Sequence, residues 1–439
     1  MDTPPLWDSP VTSLYTDHYE LTMLQAALHS GAAERRTVFE AFARALPEGR
    51  RYGIVAGTGR LLEGIARFRF GPPELEFLDR TGVVNGNTLA RLADFRFSGD
   101  VWGYPEGEAY FPYSPVLIVE STFAEACILE TFVLSVLNHD SAIASAASRM
   151  VSAAGGRPCI EMGSRRAQEE AAPAAARAAV IAGFEATSNL EAGRRFGLRT
   201  VGTAAHSFTL LHDTERDALR AQLDSLGPGT TLLVDTFDVE AAVRTAVQLA
   251  GDKLGAVRLD SGDLLAQARW VRELLDSLGN VDTKIVVTSD LDEYSVAALR
   301  AAPADAYGIG TALVTGSGAP TAGMVYKLVS RTNDAGEFIA VAKSSKNKIN
   351  VGGRKHAVRR LDGSGTATHE VLGVGHPPAE PSGRPLLRQF IREGELLPGW
   401  TGAEAVARAR RRHADTMAEL PAVVNRLQRG DPAIPTVYA

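Results

Sequence analysis

The feature that most constrains the fold is an alternation of short apolar runs and amphipathic helical runs between about residues 155 and 315. Helical runs such as VEAAVRTAVQLAGD and LLAQARWVRELLDSLG separate the apolar ones. Strands that alternate with helices indicate βαβ units and a parallel sheet. The predicted strands are RPCIEMGS, RTVGTAAHS, TTLLVDTFD, GAVRLDSGD, TKIVVTSDL and DAYGIGTAL, with a weaker one at VIAGFEATSN.

Polar residues or glycines end these predicted strands one after another. In a βα barrel the carboxyl ends of all strands converge on the face that holds the active site, whereas an open sheet gathers only some of them. We therefore predict an α/β fold with an irregular, incomplete βα barrel, because six or seven repeats are visible instead of eight. The strand-end groups are Glu161 with Arg165 and Arg166, His206, Asp235, Asp260, Asp290, and Gly310 with Thr311.

The flanking sequences break this rhythm and predict a second domain. An opening helix at about 16–31 precedes β-like segments, and β-like segments after residue 325 precede a final helix at 402–428. We predict a barrel domain over 121–324, and a second α/β domain built from 1–120 and 325–439.

Composition excludes several classes of protein. The net charge of −6 over 439 residues gives no overall basic field for holding nucleic acid. Cys127 and Cys159 lie among apolar neighbours, which predicts buried thiols in a reducing compartment, and no Cys/His spacing fits zinc. Because neither a signal peptide nor a membrane-length apolar run is present, we expect a soluble cytoplasmic protein.

His206, in VGTAAHSF, stands where a predicted strand gives way to a helix. A lone histidine is most often a partly buried structural residue. A barrel, however, would bring the carboxylate of Asp235, at the end of the next predicted strand, near one imidazole nitrogen. The other nitrogen would then act as a nucleophile or general base.

Three further motifs allow a structural or a functional interpretation. VRLDSGDL places Arg258 beside Asp260 and Ser261, which suits ribose or magnesium, although DSGD is also a common helix start. YGIGTALVTG offers Gly308, Gly310 and Thr311 as a phosphate turn or as an ordinary tight turn. EMGSRRAQ places two arginines in a first helical turn, where they oppose the helix dipole and favour an anionic partner. In TSLYTDHYELTML, Tyr19 is most simply a core residue.

The motifs YTDHYELTM, EMGSRRAQ, ATSNL, GTAAHSF, VDTFD, RLDSGDL and GIGT, in this order, resemble the nicotinate phosphoribosyltransferases over roughly residues 11–360. The resemblance implies an irregular βα barrel with a second α/β domain, acting as a homodimer. It also implies transfer of phosphoribose from 5-phosphoribosyl 1-diphosphate to nicotinate, with ATP hydrolysis, in NAD salvage. The opening motif has Glu20 where glutamine is common, and VDTFD has Phe237 where tyrosine is common.

The resemblance also implies a role for each matching residue. His206 corresponds to the histidine that ATP phosphorylates, and Asp235 to its orienting acid. Asp260 and Asp290 would face the ribose and Mg²⁺. Small-molecule substrates would be bound by Tyr19, Arg165, Arg166, Thr203, Arg258, Ser261, Gly308, Gly310 and Thr311.

Within that set, the arginine pair would lie beside the nicotinate carboxylate, and Gly310 with Thr311 would hold the 5-phosphate. Tyr19 would stack on the pyridine ring from the other subunit of the dimer. For the leaving diphosphate, the chain offers Arg258 and, in the basic loop, Lys343 or Lys348 as cations, and the sequence leaves open which of them holds it.

Three alternatives remain open at this stage. A nicotinamide-using enzyme of the same fold is disfavoured by the arginine pair, which suits a carboxylate. An aldolase with a lysine Schiff base lacks a lysine at any predicted strand end. A non-catalytic phosphosugar-binding barrel would not need His206. The type I phosphoribosyltransferase pattern of adjacent acids is absent, since VVTSDLDE has no acidic pair.

Overall fold

The computed structural model describes residues 11–343, 350–379 and 383–439, which form two compact units. The first unit comprises Met1–Ala142 and Thr321–Ala439, and the second comprises Ile143–Pro320. The predicted boundaries stand at 120/121 and 324/325. In the structure, the first division between the two units lies at 142/143 instead of 120/121, and it falls inside one long helix, Glu130–Ala154.

The helices are numbered α1 to α15 in chain order. They are α1 His18–Ser30, α2 Thr58–Ala66, α3 Pro72–Thr81, α4 Gly86–Ala93, α5 Phe123–Cys127, α6 Glu130–Ala154, α7 Ala171–Ile181, α8 Leu190–Phe196, α9 His206–Leu210, α10 Glu215–Leu226, α11 Val239–Ala250, α12 Leu264–Ser277, α13 Glu293–Leu299, α14 Thr311–Val314 and α15 Gly402–Glu419. Among the described residues, no helix is both long and apolar enough to cross a membrane.

The strands are numbered β1 to β19 in the same way. They are β1 Arg36–Ala43, β2 Gly53–Ile54, β3 Asp100–Gly103, β4 Ala109–Tyr110, β5 Leu117–Thr122, β6 Cys159–Glu161, β7 Ala186–Thr187, β8 Thr231–Leu233, β9 Ala256–Leu259, β10 Lys284–Ser289, β11 Ala306–Ile309, β12 Met324–Thr332, β13 Phe338–Ala340, β14 Lys355–Leu361, β15 Ala367–Val374, β16 Gly383–Pro385, β17 Arg388–Arg392, β18 Glu395–Leu396 and β19 Thr436–Tyr438.

The second unit is built on a curled sheet of six parallel strands in the order β7-β6-β11-β10-β9-β8. A parallel bridge from Thr187 to Thr200 extends the β7 edge by one residue. The strands alternate with helices along the chain, and their carboxyl ends share one side of the sheet because all of them are parallel. The predicted incomplete βα barrel is therefore confirmed.

One of the predicted strands, RTVGTAAHS, is wrong beyond its first residues. The backbone N–H of Val201 donates to the carbonyl of Thr187 at 2.9 Å, and residues 202–205 then continue as a loop up to α9. A strand needs backbone hydrogen bonds from a neighbouring strand. Among the described residues β8 pairs with β9 and not with residues 202–205, so no ladder extends the strand beyond Val201. The loop thus delivers His206 as the first residue of α9.

The described residues of the first unit form three sheets. The largest has seven strands in the order β13-β12-β1-β5-β3-β17-β18, and its neighbours are antiparallel. A four-stranded sheet has the order β16-β14-β15-β19, and β2 pairs with β4. This mixture of helices and sheets confirms the predicted α/β class of the second domain. The last helix, predicted to reach 428, ends at Glu419 because Leu420 is extended before Pro421.

Candidate active site

His206 lies at the centre of a polar cluster at the carboxyl ends of the sheet strands. Its Nδ1 is 3.1 Å from the hydroxyl of Thr236, and its Nε2 is 3.9 Å from Oδ2 of Asp260. The side chain is 42% exposed, so the imidazole is not the buried structural histidine that was the alternative. Nδ1 is within hydrogen-bond distance of a neighbour, whereas Nε2 faces Asp260 beyond that distance and the ring stays accessible, so Nε2 is open to a substrate atom.

Asp235 does not take the position beside the imidazole that the sequence predicted. Its Oδ2 accepts hydrogen bonds from the backbone N–H of Asp260 at 3.0 Å and from the hydroxyl of Ser261 at 2.7 Å. The carboxylate turns toward this loop because it satisfies a backbone donor there, and the next residue, Thr236, meets His206 instead. Asp235 therefore shapes the loop that carries Asp260.

The RLDSGD motif contains the helix cap that the sequence allowed, at Asp263, and its other polar residues have separate contacts. Asp263 is the N-cap of α12 and accepts from the backbone N–H of Ala266 at 3.1 Å. Asp260 is held separately, since the hydroxyl of Thr288 donates to its Oδ1. Capping by Asp263 leaves Asp260 and Ser261 available to the site.

Arg258 links this cluster to the loop before His206. Its Nη1 donates to the hydroxyl of Thr203 at 2.6 Å. Burial lowers the pKa of Arg258, and the positive charge of Arg165 lowers it further. The negative charges of Asp260 and Asp235 act in the opposite direction. Among the described residues, Nε of Arg258 and Oδ1 of Asp235 are buried without a hydrogen-bond partner. Unpaired buried polar atoms of opposite character are costly unless a ligand or water completes them.

Asp290 and Thr311 end the two neighbouring strands β10 and β11. The hydroxyl of Thr311 is 3.4 Å from Oδ1 of Asp290, a long contact that leaves both groups free for a ligand. Gly310 precedes α14, and a Cβ there would lie 3.3 Å from the carbonyl oxygen of Met162. These three residues lie together at the strand ends.

Gly308 lies elsewhere, buried inside β11. A Cβ at this position would be 2.5 Å from Cγ2 of Thr288 and 2.7 Å from the sulfur of Met162. The absence of a side chain therefore lets β10 and the β6 end pack against β11. This placement gives Gly308 a packing role beside Thr288, with which it is paired in the sheet.

The EMGSRRAQ turn combines a buried acid with two free cations. Glu161 is fully buried and accepts from the backbone N–H of Gly163 and from the hydroxyl of Thr187, and burial raises its pKa. It fixes the turn and does not face the site. Arg165 and Arg166 lie exposed in a short 3-10 turn. Among the described residues, neither guanidinium group has a hydrogen bond or an ion pair. Two unpaired guanidinium groups so close together suit an anionic ligand.

The remaining predicted residues lie in the first unit. Tyr19 is on α1 and is 47% exposed, and partial burial with nearby Glu130 raises the pKa of its phenol. Glu20, where the family often has glutamine, is buried and accepts from Thr16 at 2.6 Å and from the backbone of Thr131 at 2.9 Å. Its role is structural.

Five other residues complete the comparison with the sequence. Phe237 is 64% exposed in the second unit. Lys343 is exposed, and Lys348 lies outside the described residues. Cys127 and Cys159 are buried free thiols, as predicted.

The sequence analysis missed two site residues, Thr236 and Thr288. Thr236 holds the imidazole and Thr288 holds Asp260. A signal existed for Thr288, which precedes Asp290 by two positions on a strand and so shares its face. Thr236 carried no such signal, since it follows the end of β8.

Two family models cover most of the chain. The model described as the nicotinate phosphoribosyltransferase N-terminal domain matches residues 14–138, and the model of the nicotinate phosphoribosyltransferase family matches residues 158–376. The chain belongs to the nicotinate phosphoribosyltransferase family. This is a family of enzymes, and the His206 cluster lies within the second matched range.

Individual relatives agree with this assignment. The nicotinate phosphoribosyltransferase pncB1 of Mycobacterium tuberculosis is 55% identical over 434 residues, covering 96% of this chain and 94% of the relative. The Bacillus subtilis enzyme of that name is 35% identical and covers 80% and 74%. The crystal structure of human nicotinic acid phosphoribosyltransferase superposes with a TM-score of 0.81 at 25% identity, covering 97% of each chain.

Proposed function

We propose that this chain is a nicotinate phosphoribosyltransferase that joins nicotinate to 5-phosphoribosyl 1-diphosphate, giving nicotinate mononucleotide and diphosphate, coupled to ATP hydrolysis through phosphorylation of His206. The observation that carries the proposal is the cluster at the strand ends, in which an accessible imidazole lies between a hydroxyl and a carboxylate. Family membership supplies the substrates. The pathway would be NAD salvage, in the cytoplasm.

The cationic side of the site supports a carboxylate-bearing acceptor. Arg165 and Arg166 have no acidic partner among the described residues, and Arg165 is close enough to Arg258 to lower its pKa. A carboxylate on the pyridine ring would neutralise this excess through charge-assisted hydrogen bonds, which a carboxamide cannot match. Nicotinate is therefore favoured over nicotinamide.

The sugar side of the site is acidic. The pyridine nitrogen attacks C1 of the ribose while the C1–oxygen bond to the diphosphate breaks, and the electron pair leaves with the diphosphate. Positive charge develops on the sugar in this step, and Asp260 would stabilise it electrostatically. The Thr288 hydroxyl and the Asp235 bond to the Asp260 backbone hold that carboxylate in place. Thr311 and the Gly310 turn would bind the 5-phosphate.

His206 would take the γ-phosphoryl group of ATP on an imidazole nitrogen, releasing ADP, and water would later cleave the phosphorus–nitrogen bond. Its neighbours would act before and after this step. The Thr236 hydroxyl at Nδ1 keeps the ring in one orientation. A phosphoryl group on the ring would place two to three acceptor oxygens at the mouth of the site, close to Asp260.

Magnesium suits the donor set of this site. Among the described residues, no group of three or more His, Cys, Asp or Glu side chains is placed to hold a metal. Mg²⁺ is commonly bound by one or two carboxylates together with substrate phosphates. Asp260 and Asp290 would hold it, and when bound it neutralises charge on the leaving diphosphate.

A homodimer completes the proposal. Tyr19 is half exposed on α1, and its raised pKa keeps the phenol neutral. A neutral exposed ring would stack on the pyridine ring of substrate bound to a second copy of the chain.

The proposed activity predicts a defined product. Purified protein mixed with nicotinate, 5-phosphoribosyl 1-diphosphate and Mg²⁺ should form nicotinate mononucleotide, and adding ATP should increase the rate and release ADP. Chromatography of the nucleotides measures both products. Binding of phosphoribosyl diphosphate without any nucleotide product would instead indicate a non-catalytic phosphosugar-binding barrel.

The Arg165→Gln variant tests substrate choice. We expect it to lower kcat/KM for nicotinate by about tenfold or more, since one charge-assisted hydrogen bond contributes roughly 1.5–3 kcal/mol. The much lower kcat/KM for nicotinamide should hardly change. Arg194→Gln, which removes an exposed arginine paired with Glu191 in the same unit, is the matched control. An equal loss with both substrates would contradict the assignment of Arg165 to the carboxylate.

A further inference from the structure

The first unit contains a cavity of about 460 Å³ that is separate in its residues from the His206 cluster. It lies along α15 and is lined by four arginines, Arg384, Arg408, Arg411 and Arg412. Such a volume accommodates a small organic ligand. A concave surface with four guanidinium groups requires an explanation in terms of charge.

The acidic residues nearest these arginines are already used within the fold. Glu108 accepts from Nη1 of Arg359 at 2.6 Å and from Nη1 of Arg384 at 2.8 Å. Burial alone would raise the pKa of Glu108, but the two arginines lower it to about 2. Glu419 accepts from Nη2 of Arg384 at 2.7 Å. Glu108 and Glu419 are thus bonded to Arg359 and Arg384, and Asp415 is the one further acid in the cavity lining for Arg408, Arg411 and Arg412.

The other three arginines are not neutralised in this way. Arg412 is largely buried, and its Nη1 donates to a neutral partner, the backbone carbonyl of Glu106, at 2.7 Å. Burial lowers the pKa of Arg412, and the positive charges of Arg388 and Arg384 lower it further. The negative charges of Glu108 and Glu106 act in the opposite direction. A lowered arginine pKa means that the surroundings do not compensate its charge.

The two neighbours of Arg412 in the cavity are equally available. Arg411 is exposed, and its guanidinium group has no hydrogen bond or ion pair among the described residues. Arg408 donates from Nη2 to the backbone carbonyl of Gly399 at 2.6 Å, and its contact with the exposed Glu404 is 3.5 Å long. Asp415 is the one further acid that lines the cavity, so positive charge exceeds negative charge on the walls.

We propose that this arginine cavity binds a polyphosphate group, as an inorganic chain or as the phosphates of a nucleotide. Guanidinium forks bind phosphate oxygens in pairs, and three of them can satisfy a ligand with two or three phosphates. A lone carboxylate would neutralise one arginine and leave most of the volume empty. The site does not rest on the proposed catalytic function, because none of its residues belongs to the His206 cluster.

Calorimetric titration of the full-length protein tests the proposal, with inorganic triphosphate as one probe and ATP as the other. Native protein should bind triphosphate at the arginine cavity, and Arg411→Gln should weaken that binding by about tenfold or more while leaving the catalytic rate without triphosphate unchanged. Arg410→Gln, the adjacent position on α15, makes the same charge change outside the cavity lining and should bind as native. Because ATP also binds at the proposed catalytic site, only the ATP binding that Arg411→Gln weakens is assigned to the arginine cavity. Cavity binding of triphosphate but not ATP would identify an inorganic ligand, and cavity binding of both would identify the phosphates as the recognised group.

Two outcomes would overturn the proposal. One is triphosphate binding that Arg411→Gln and Arg411→Glu leave unchanged. The other is an equal loss in Arg411→Gln and Arg410→Gln, which would indicate non-specific attraction to a basic helix. Arg258→Gln separates the two sites, because it should weaken phosphate binding at the His206 cluster and leave the arginine cavity unaffected. Circular dichroism verifies that each variant is folded.

Discussion

The His206→Ala variant should incorporate no phosphate from γ-labelled ATP, and its rate of nicotinate mononucleotide formation should be the same with and without ATP. The reason is chemical, because the proposed phosphoryl acceptor is an imidazole nitrogen and alanine has none. The rate without ATP should persist, since Asp260 and Arg258 remain in place. Label transfer and product formation are measured on the same samples.

His212→Ala is the matched control for that experiment. His212 lies six residues further on, with Nδ1 bonded to the carbonyl of Phe208 at 2.9 Å and its ring packed edge-on against Phe208. It is a structural histidine outside the strand-end cluster, so labelling and ATP stimulation should survive its removal. Label that remains on His206→Ala, or full ATP stimulation in that variant, would remove His206 from the proposed mechanism.

The sequence predicted the parallel sheet well because local pattern and topology agree there. Buried parallel strands such as β9 and β10 appear in the sequence as short apolar runs. Each is followed by a helix that begins after a capping residue. Asp263 and Asp238 show this directly, since each caps the helix that follows its strand. Chain order then fixes which strand ends meet.

The details of the cluster depended on geometry that spacing does not contain. Asp235 and Thr236 are adjacent, and both can bond to an imidazole. Only the position of the β9 loop decides that Asp235 binds its backbone and Thr236 meets His206. Likewise, Gly308 and Gly310 look alike in the sequence, but the side chains of Thr288 and Met162 crowd only the first.

The sheets of the first unit could not be derived from sequence for a different reason. Strand β1 pairs with β12, so that Thr37 lies opposite Arg331, which is about two thirds of the chain length away. Alternation predicts that such segments are strands, but it does not predict their partners when several hundred residues intervene. The buried charges of this unit were missed as well, because a sequence does not distinguish a buried arginine from an exposed one.

One of those buried charges should dominate the stability of the first unit. Arg359 is fully buried and donates to Glu108 at 2.6 Å, to Glu370 at 3.1 Å and to the backbone carbonyl of Ala109 at 2.8 Å. Arg359→Met keeps the apolar stem, leaves buried Glu370 without its cation and leaves Glu108 with Arg384 alone. We expect the free energy of unfolding to fall by about 3–5 kcal/mol, which is a large share of a typical total. Chemical denaturation followed by circular dichroism measures it.

The loss should depend on pH in a definite direction. In the native protein the folded pKa of Glu108 is lowered to about 2, so its ionised form stabilises the fold above pH 4.5, and this contribution is lost as pH falls toward 2. Without Arg359, the pKa of Glu370, which burial already raises, would rise further, and Glu108 would keep only Arg384 to hold its pKa down, so holding the two groups ionised costs more as pH rises. The deficit of Arg359→Met should therefore be larger at pH 8 than at pH 5.

Two further variants separate buried charge from a general effect of losing an arginine. Arg244→Met removes an exposed arginine paired with Glu240 on α11, and it should change the unfolding free energy by no more than about 0.5 kcal/mol. Adding Glu370→Gln to Arg359→Met should recover part of the loss, because it removes the buried carboxylate that has lost its cation. If the double variant were less stable than Arg359→Met alone, packing around Arg359, and not its charge, would be what holds this part of the fold together.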